Sequence, residues 1–380
     1  MVTDKQANQY DVIVLGLGVM GTAAAYHLAK DGQRVLGLEQ FALDHRLGSS
    51  YGESRIIRYA YDHPIYVEMA KAVFPMWRDL EAESGQALMF QIGGLDFGLV
   101  DSESLLTTRD TMLATHVPLE WITPAEVAKR LPQFQLDDNM MAIYQPDGGY
   151  LAASQCVLAQ ANLARKHGAT LLTNTPVLKV EALTDSVHIQ TATESYEAAR
   201  LVITAGSWAA HVLTMLDLRL PLQPTREELV FFEPSDPTAF LPDRCPIFIC
   251  HDQPWRYGLP NVDGSGLKVA IHGRHEPVDP DQVNRTPDEP YIGVIRDFVQ
   301  HYLPTGNGPV KESRVCLYTM TPDEQFIIDR HPAYQHIAIG AGFSGHGFKF
   351  GILIGRMLAD LATRGATPYD LSLFSVRRFG

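Results

Sequence analysis

The stretch that decides the fold is Asp11–Gly21, which reads DVIVLGLGVMG. It begins with a short apolar, β-branched run, Asp11–Leu15, and its glycine-rich end leads into the Ala-rich segment Thr22–Lys30, which is typical of a helix. A second apolar run, Arg34–Leu38, ends at the acidic Glu39. This order predicts a β-α-β unit within the first forty residues of the chain.

The glycines of this stretch follow the spacing Gly16-x-Gly18-x-x-Gly21. In a dinucleotide-binding turn, the first glycine permits the tight turn, the second lets the backbone approach a pyrophosphate, and the third allows close helix packing. The helix start supplies free N–H groups for the phosphates, and Glu39 can accept hydrogen bonds from ribose hydroxyls. A tight turn with incidental glycines is the ordinary alternative. The motif favours a dinucleotide site and leaves FAD and NAD both open.

Composition sets limits on the other classes of function. The chain has 380 residues, 31 Lys+Arg against 44 Asp+Glu, a net charge of −13 and 46% hydrophobic residues. This is an ordinary globular composition, so disorder, collagen and coiled coil are excluded. The acidic balance argues against nucleic acid or an anionic membrane as partner, because both need a basic surface.

Cysteine usage and the chain termini indicate a cytoplasmic protein. Cys245 and Cys250 lack the second Cys or His cluster that a zinc site requires, so with Cys156 they are expected to be reduced thiols, and no metal is expected. Residues 1–10 are polar and lack the apolar core of a signal peptide. The longest uncharged run, Leu201–Leu216, is short for a membrane span and is better explained as a strand entering a helix.

The order of predicted elements indicates two interleaved domains. Helices are expected over 64–80, 124–131, 151–167, 287–302 and 345–363, and the middle third is rich in strands. We therefore predict an α/β fold in which a Rossmann-type FAD-binding domain is interleaved with an α+β substrate domain on a mostly antiparallel sheet. The expected boundaries are 1–84, 150–218 and 325–380 for the first domain, and 85–149 and 219–324 for the second.

Further motifs carry a resemblance to a known family. They are GSSYGESRIIR at 48–58, Tyr257 with GLKVAIH at 266–272, VCLYT at 315–319, TPDEQFIID at 321–329 and GFSGHGFKF at 342–350. Together they resemble the monomeric sarcosine oxidase family, which also includes N-methyltryptophan and L-pipecolate oxidases. The match runs in order from about Tyr10 to Phe379.

The resemblance implies FAD, covalently attached by a thioether between Cys316 and the flavin 8α carbon. It also implies oxidation of a secondary amino acid at its C–N bond, with oxygen as acceptor and hydrogen peroxide as product. By itself, Cys316 would be interpreted as a buried apolar residue on a strand. Its position inside Val315–Thr319, directly before Pro322, supports the attachment site instead.

Basic residues in the same motifs match the family's substrate site. Arg58 and Lys349 match its carboxylate clamp, in which Arg gives bidentate contacts and Lys a point charge. Arg55 precedes Arg58 by three residues and is placed near the cofactor as well. An internal salt bridge for Arg58 and a helix-surface position for Lys349 are the alternatives.

Four more residues are expected to line the reaction site. Lys268 matches the lysine that the family places near flavin N5, although a solvent-exposed lysine on a strand edge is the common alternative. His272 lies four residues further along and shares that face of the predicted strand. Tyr257 and Tyr318 match aromatic pocket residues, or belong to ordinary core packing.

The remaining cofactor positions are small or apolar residues. The resemblance adds Ser49, Ser50, Val180, Gly206, Gly342, Gly345 and Gly347 to the motif glycines and Glu39 as cofactor-binding. The glycine-rich 342–347 segment is expected to open the last helix and to direct the positive helix end at the flavin.

One position departs from the family, because Tyr51 stands where His is common. Tyr is bulkier and not cationic at neutral pH, which leaves open how flavin attachment is assisted and what shape one pocket wall takes, and we expect a substrate preference shifted from plain sarcosine. The rival functions are an L-pipecolate or L-proline oxidase, a NAD-dependent dehydrogenase and a non-catalytic FAD sensor. The expected partners are an amino acid and oxygen, with the chain a monomer or weak dimer.

Overall fold

The computed structural model describes residues 9–380, so most of the polar N-terminal segment lies outside the described residues. In this part of the chain the strands are β1 Gln9–Leu15, β2 Val35–Leu38, β3 Arg55–Ile57, β4 Met89–Gln91, β5 Gly94–Leu99, β6 Glu120–Ile122, β7 Met140–Gln145, β8 Gly149–Leu151, β9 Thr170–Leu172, β10 Val177–Ala182, β11 Val187–Thr191, β12 Ser195–Ile203, β13 Gln223–Phe232, β14 Ile247–Cys250, β15 Arg256–Leu259, β16 Leu267–Ile271, β17 Glu276–Pro277, β18 Val310–Met320, β19 Ile327–Arg330 and β20 Ile337–Ala341.

The α-helices surround these strands. They are α1 Val19–Lys30, α2 Pro64–Ser84, α3 Glu103–Ala114, α4 Pro124–Arg130, α5 Ala153–Lys166, α6 Ala209–Thr214, α7 Glu289–Tyr302 and α8 Gly351–Arg364. The predicted capping box is present at the start of α4, where Thr123 and Glu126 each bond to the other's backbone N–H.

The first sheet is the predicted nucleotide-binding layer. Its eight strands include the path β10-β11-β12-β1-β2-β9, with β20 beside β12 and β19 beside β20. The pairs of β1 with β12 and with β2 are parallel. Val12 and Val14 belong to one core cluster and Ile13 to another, so both faces of β1 are covered, as an apolar run in a parallel sheet predicts.

The turn after β1 has the geometry that its glycines predict. Gly16 has φ +88°, a left-handed conformation that side chains disfavour. A Cβ on Gly21 would lie 1.8 Å from the carbonyl oxygen of Gly16, so only glycine lets α1 pack this close to the turn.

The second sheet has nine strands along the path β17-β13-β16-β15-β14-β5-β7-β6, with β18 also paired to β13. Its pairs are antiparallel except that of β14 with β5. A small third sheet has the strand order β3-β8-β4, and Arg55 is the first residue of β3. The predicted fold class, a Rossmann-type layer combined with a mostly antiparallel sheet, is confirmed.

Three predicted helices begin later than expected, and one of them is the helix expected from 287, which begins at Glu289 after its N-cap Asp288. The helix expected from Leu151 begins at Ala153, because Leu151 pairs in β8 with β3 and β4. The last α-helix begins at Gly351 after a 3-10 turn, Phe348–Phe350, rather than at Gly345. Gly342, Ser344 and Gly345 have φ of +61°, +42° and +80°, which no right-handed helix accommodates. No helix within residues 9–380 has both the length and the apolar character needed to cross a membrane.

Candidate active site

A cavity of about 530 Å³ extends from the glycine turn after β1 to the face of the second sheet. Nearly all of the site residues predicted from the sequence line it. These are Gly16, Gly18, Glu39, Ser49, Ser50, Arg55, Arg58, Gly206, Tyr257, Lys268, His272, Cys316, Tyr318, Gly342, Gly345, Gly347 and Lys349.

Two predicted cofactor residues do not line the cavity. Val180 is 1% exposed and its side chain packs in the core with Val187 and Ile189, whereas Val177 at the start of β10 lines the cavity. The side chain of Val180 therefore points away from the cavity, and only its backbone is left to contact a cofactor. Gly21 lies behind the lining and acts through its close packing against Gly16.

The nucleotide end of the cavity is organised around Glu39 and the start of α1. The buried Glu39 carboxylate accepts hydrogen bonds from the backbone N–H groups of Leu17 at 2.9 Å and Phe41 at 3.0 Å. Ser50 Oγ accepts the N–H of Val19 at 3.1 Å. These bonds hold the carboxylate and the glycine turn in fixed positions around a space suited to a ribose and its phosphates.

Cys316 lies in β18 at the opposite end of the cavity and is a free thiol. Burial raises its pKa, whereas the charges of Arg55, Lys268 and Arg285 act in the opposite direction. Burial and the Glu227 charge outweigh the three cations, so the net shift of the Cys316 pKa is upward and the cations only reduce it. Ser49 holds β18 next to Cys316, because its Oγ donates a hydrogen bond to the carbonyl of Leu317 at 2.5 Å.

Arg55 is held by backbone carbonyls. Its Nη2 donates to the carbonyls of Ser49 at 2.9 Å and Tyr51 at 2.7 Å, and its Nη1 to that of Ser54 at 2.9 Å. Its guanidinium carbon also lies 5.7 Å from the ring centre of Phe348. Because no carboxylate in residues 9–380 forms an ion pair with it, Arg55 brings a net positive charge to the cavity.

Lys268 is buried in the centre of the second sheet rather than exposed on a strand edge. It is 3% exposed on β16, which pairs with both β13 and β15, and its Nζ donates to the carbonyl of Ser54 at 3.0 Å. Burial, followed by the Arg55 charge, lowers the pKa of Lys268 to about 7. A lysine with this pKa exchanges its proton near neutral pH, which an exposed lysine does not.

Arg58 and Lys349 meet across Tyr61. Arg58 is 7% exposed and pairs with Asp96, while Lys349 is 5% exposed rather than on a helix surface. Lys349 Nζ donates to Tyr61 Oη at 2.8 Å and to the carbonyl of His346 at 2.7 Å. The guanidinium carbon of Arg58 lies 4.6 Å from the Tyr61 ring centre. Two basic side chains therefore contact one buried phenol, and Arg58 is already paired with Asp96.

Aromatic and imidazole rings form the remaining wall. His272 follows the end of β16, and burial and the charge of Lys349 lower its pKa to about 4, so it is neutral. Burial raises the pKa of both Tyr257 and Tyr318. His251, Trp255 and His346 also line the cavity and are not among the predicted site residues. His346 lies inside the motif at 342–350, whereas nothing in the local sequence indicates the other two.

Tyr51 does not form a cavity wall. Its ring lies between Arg46 and Arg314, 4.8 Å and 5.5 Å from their guanidinium carbons, and it is absent from the cavity lining. The shape of the cavity wall is therefore set by other side chains. The larger ring is accommodated outside the cavity because two flanking arginines stack on it.

Comparison with known proteins assigns the class. The family model described as FAD dependent oxidoreductase matches residues 11–361, and a cavity that joins a glycine-rich phosphate turn to a cationic pocket fits that class. In overall fold, the chain is similar to NikD, an unusual amino acid oxidase essential for nikkomycin biosynthesis, with a TM-score of 0.86 and 26% identity over 97% of each chain.

Sequence relatives narrow the class to a family. The chain is 39% identical to monomeric sarcosine oxidase of Bacillus sp. (strain NS-129), over 98% of this chain and 97% of the relative. It is 35% identical to peroxisomal sarcosine oxidase of Homo sapiens, with the same coverage of each. It is 30% identical to N-methyl-L-tryptophan oxidase of Yersinia pestis, over 97% and 99%. The chain belongs to the monomeric sarcosine oxidase family, whose cofactor is FAD.

Proposed function

We propose that this chain is an FAD-dependent oxidase of secondary amino acids, either N-methylated, such as sarcosine, or cyclic. The product is an imine, which water converts to an amine and an aldehyde when the substrate is N-methylated, together with hydrogen peroxide. The observation that carries the proposal is the pair Arg58 and Lys349, two buried basic side chains that both contact Tyr61 at the wall of the cavity that also contains Cys316 and Lys268.

The residues present fit FAD. Glu39, the α1 start and Gly206 would hold the adenosine and phosphates, and the Gly342–Gly347 turn would lie beside the ring. FAD, when bound, would accept a hydride equivalent from the carbon attached to the substrate nitrogen and pass the electrons to oxygen. We propose that Cys316 attaches it covalently, supported by the three cations that act on this thiol.

The other residues of the cavity would bind and orient the substrate. A substrate carboxylate between Arg58 and Lys349 would direct the amine toward the part of the cavity near Lys268. His272, neutral at physiological pH, has a free lone pair for an amine N–H. Tyr257, Tyr318 and Trp255 exclude water around the reacting carbon.

Three further assignments accompany this proposal. The FAD domain would comprise 1–84, 150–218 and 325–380, and the substrate domain 85–149 and 219–324, which is supported by the strands of the two larger sheets, whereas the third sheet joins strands from both domains. The chain would act in the cytoplasm, supported by four free cysteine thiols. It would act as a monomer or weak dimer.

Peroxide release tests the proposal against its rivals. Purified protein is mixed with sarcosine, N-methyl-L-tryptophan, L-pipecolate or L-proline in air, and hydrogen peroxide is measured. We expect peroxide from at least one secondary amino acid without added nicotinamide coenzyme. A requirement for NAD would identify a dehydrogenase, and a yellow protein that turns over none of these compounds would identify an FAD sensor.

A further inference from the structure

Asp96 is a fully buried carboxylate behind the proposed substrate site. It lies on β5, has 0% exposure, and forms an ion pair with Arg58 at 3.1 Å from Oδ1 to Nη1. The same Oδ1 lies 3.0 Å from His251 Nε2, and Oδ2 accepts from Gln145 Nε2 at 3.0 Å. Ser104 Oγ in turn lies 2.8 Å from His251 Nδ1. The Asp96 carboxylate is therefore fixed by side chains from several elements of the fold.

These contacts orient the Arg58 guanidinium. Its Nη1 donates to Asp96 and to the carbonyl of Ala60. No residue among 9–380 accepts a hydrogen bond from its Nε or Nη2. The Nε and Nη2 groups form the two parallel donors to which a carboxylate binds in a bidentate manner. Arg58 lines the cavity, so a ligand there can reach this edge of the guanidinium.

The same contacts also remove the net charge of this cation. Arg58 and Asp96 form a neutral pair, so a carboxylate that enters the cavity needs a second positive charge in order to leave water. Lys349 is the nearest such group to the shared Tyr61, and no carboxylate in the described part of the chain pairs with it.

Four titratable rings lie around Lys349, namely Tyr61, Tyr66, His346 and His272. The charged groups nearby are Arg58, which acts on Lys349, and Asp62 and Asp96, which act on Tyr61. Burial lowers the pKa of both histidines and raises that of both tyrosines, so none of them carries charge near neutral pH. His251 faces Asp96.

We propose that Asp96 is a positioning residue that makes the clamp bind a carboxylate together with one proton, which Lys349 takes from solvent. The inference rests on the proposed function, because it assumes that Arg58 and Lys349 receive the substrate carboxylate. The positive charges of Arg58 and protonated Lys349 then balance the negative charges of Asp96 and the ligand carboxylate. Without Asp96, Arg58 alone would balance the ligand, and no proton would be needed.

The direction of the pH dependence follows. Burial and the Arg58 charge hold the pKa of Lys349 well below its usual value in the empty site. A bound carboxylate raises that pKa, so its affinity is greatest at low pH. The affinity falls as pH rises through the pKa of the empty site, by up to about tenfold for each pH unit.

The experiment measures binding of acetate and propionate to the flavin-loaded protein. Dissociation constants come from changes in flavin absorbance between about pH 6 and pH 10, where these ligands stay ionised. Calorimetry in two buffers of different ionisation enthalpy gives the number of protons taken up. We expect about one proton for the wild type, and binding by Asp96→Asn that takes up none and is about tenfold tighter at the highest pH. Asp62→Asn, a change of an exposed carboxylate that also lines the cavity, should keep the uptake.

Lys349→Met tests independently whether Lys349 is the group that takes up the proton. This variant can be measured even if Asp96→Asn does not fold. It should bind acetate weakly at every pH without taking up a proton. The proposal is wrong if the wild type binds without proton uptake, or if either Asp96→Asn or Lys349→Met retains it. Ligands that bind but do not compete with sarcosine would instead contradict the proposed function.

Discussion

The phenol of Tyr61 connects the two ends of the proposed clamp, since its hydroxyl accepts a hydrogen bond from Lys349 at 2.8 Å while its ring lies 4.6 Å from the guanidinium carbon of Arg58. Tyr61 follows β3, whereas Lys349 lies in the turn before α8. The substrate site is therefore assembled from distant parts of the chain. Its geometry depends on a side chain that carries no charge of its own.

Replacement of this phenol should weaken substrate binding more than turnover. Tyr61→Phe removes the acceptor of Lys349 and keeps the ring under Arg58. Hydrogen bonds to charged groups are worth about 1.5–3 kcal/mol, so we expect KM for sarcosine to rise about tenfold while kcat changes less. Steady-state kinetics measure both constants. Tyr59→Phe is the matched control, because Tyr59 stacks on Phe74 at 4.3 Å and does not line the cavity. Equal effects of the two changes would contradict this role.

Gly345 makes room for Tyr318. A Cβ at Gly345 would lie 2.2 Å from Tyr318 Cε2, and φ is +80°. Gly345→Ala should displace that ring and lower kcat/KM by at least about tenfold. Gly85→Ala has a similar φ of +70° and open space around its Cβ, so it should retain full activity while its backbone strain lowers stability by about 1 kcal/mol or more. Unchanged kinetics for Gly345→Ala would show that the Tyr318 position is unimportant.

Cys316→Ala should yield a protein that binds FAD without a covalent bond. Acid precipitation of the wild type should give a yellow pellet, because the thioether retains the flavin, and the variant should give a colourless pellet under a yellow supernatant. Cys156→Ala, at a buried thiol outside the cavity, should behave like the wild type. A colourless wild-type pellet would refute covalent attachment through Cys316.

Lys268→Met should stabilise the cofactor-free protein, and more at low pH than at high pH. The pKa of Lys268 is about 7 in the folded chain and 10.5 for the free side chain, so folding penalises the charged form. The penalty is complete below about pH 7 and disappears by about pH 10.5, and its upper limit is about 5 kcal/mol. Urea unfolding at several pH values measures the difference between the two proteins. A difference that stays constant with pH would contradict a depressed pKa.

Local patterns predicted most of the fold. The β1 run, the glycine spacing and the Thr123 capping box each depend on neighbours within a few residues, and the structure confirms them. The start of α8 was placed too early because an apolar, glycine-rich sequence does not reveal that Gly342 and Gly345 adopt positive φ. The sequence likewise does not show which side chains of β10 face the cavity, where the structure has Val177 in the lining and Val180 in the core.

Long-range contacts account for what the sequence did not provide at the candidate site. Arg58 and Lys349 were found through motifs, yet Asp96, His251 and Trp255 become neighbours only when β5, β14 and the segment before β15 align in the second sheet. A lone Asp in an apolar strand is unusual, and that signal at Asp96 could have indicated a buried ion pair. Nothing in the sequence indicated that Arg46 and Arg314 would enclose the Tyr51 ring.

Reduction of the bound flavin in the absence of oxygen tests the central claim most directly. Purified protein is mixed anaerobically with sarcosine, N-methyl-L-tryptophan, L-pipecolate or L-proline, with glycine as the primary-amine control, and the visible flavin absorbance is followed before and after air is admitted. We predict that at least one secondary amino acid bleaches the flavin, that glycine does so far more slowly, and that air restores the colour with one hydrogen peroxide per flavin. A flavin that none of these secondary amino acids bleaches would contradict the account.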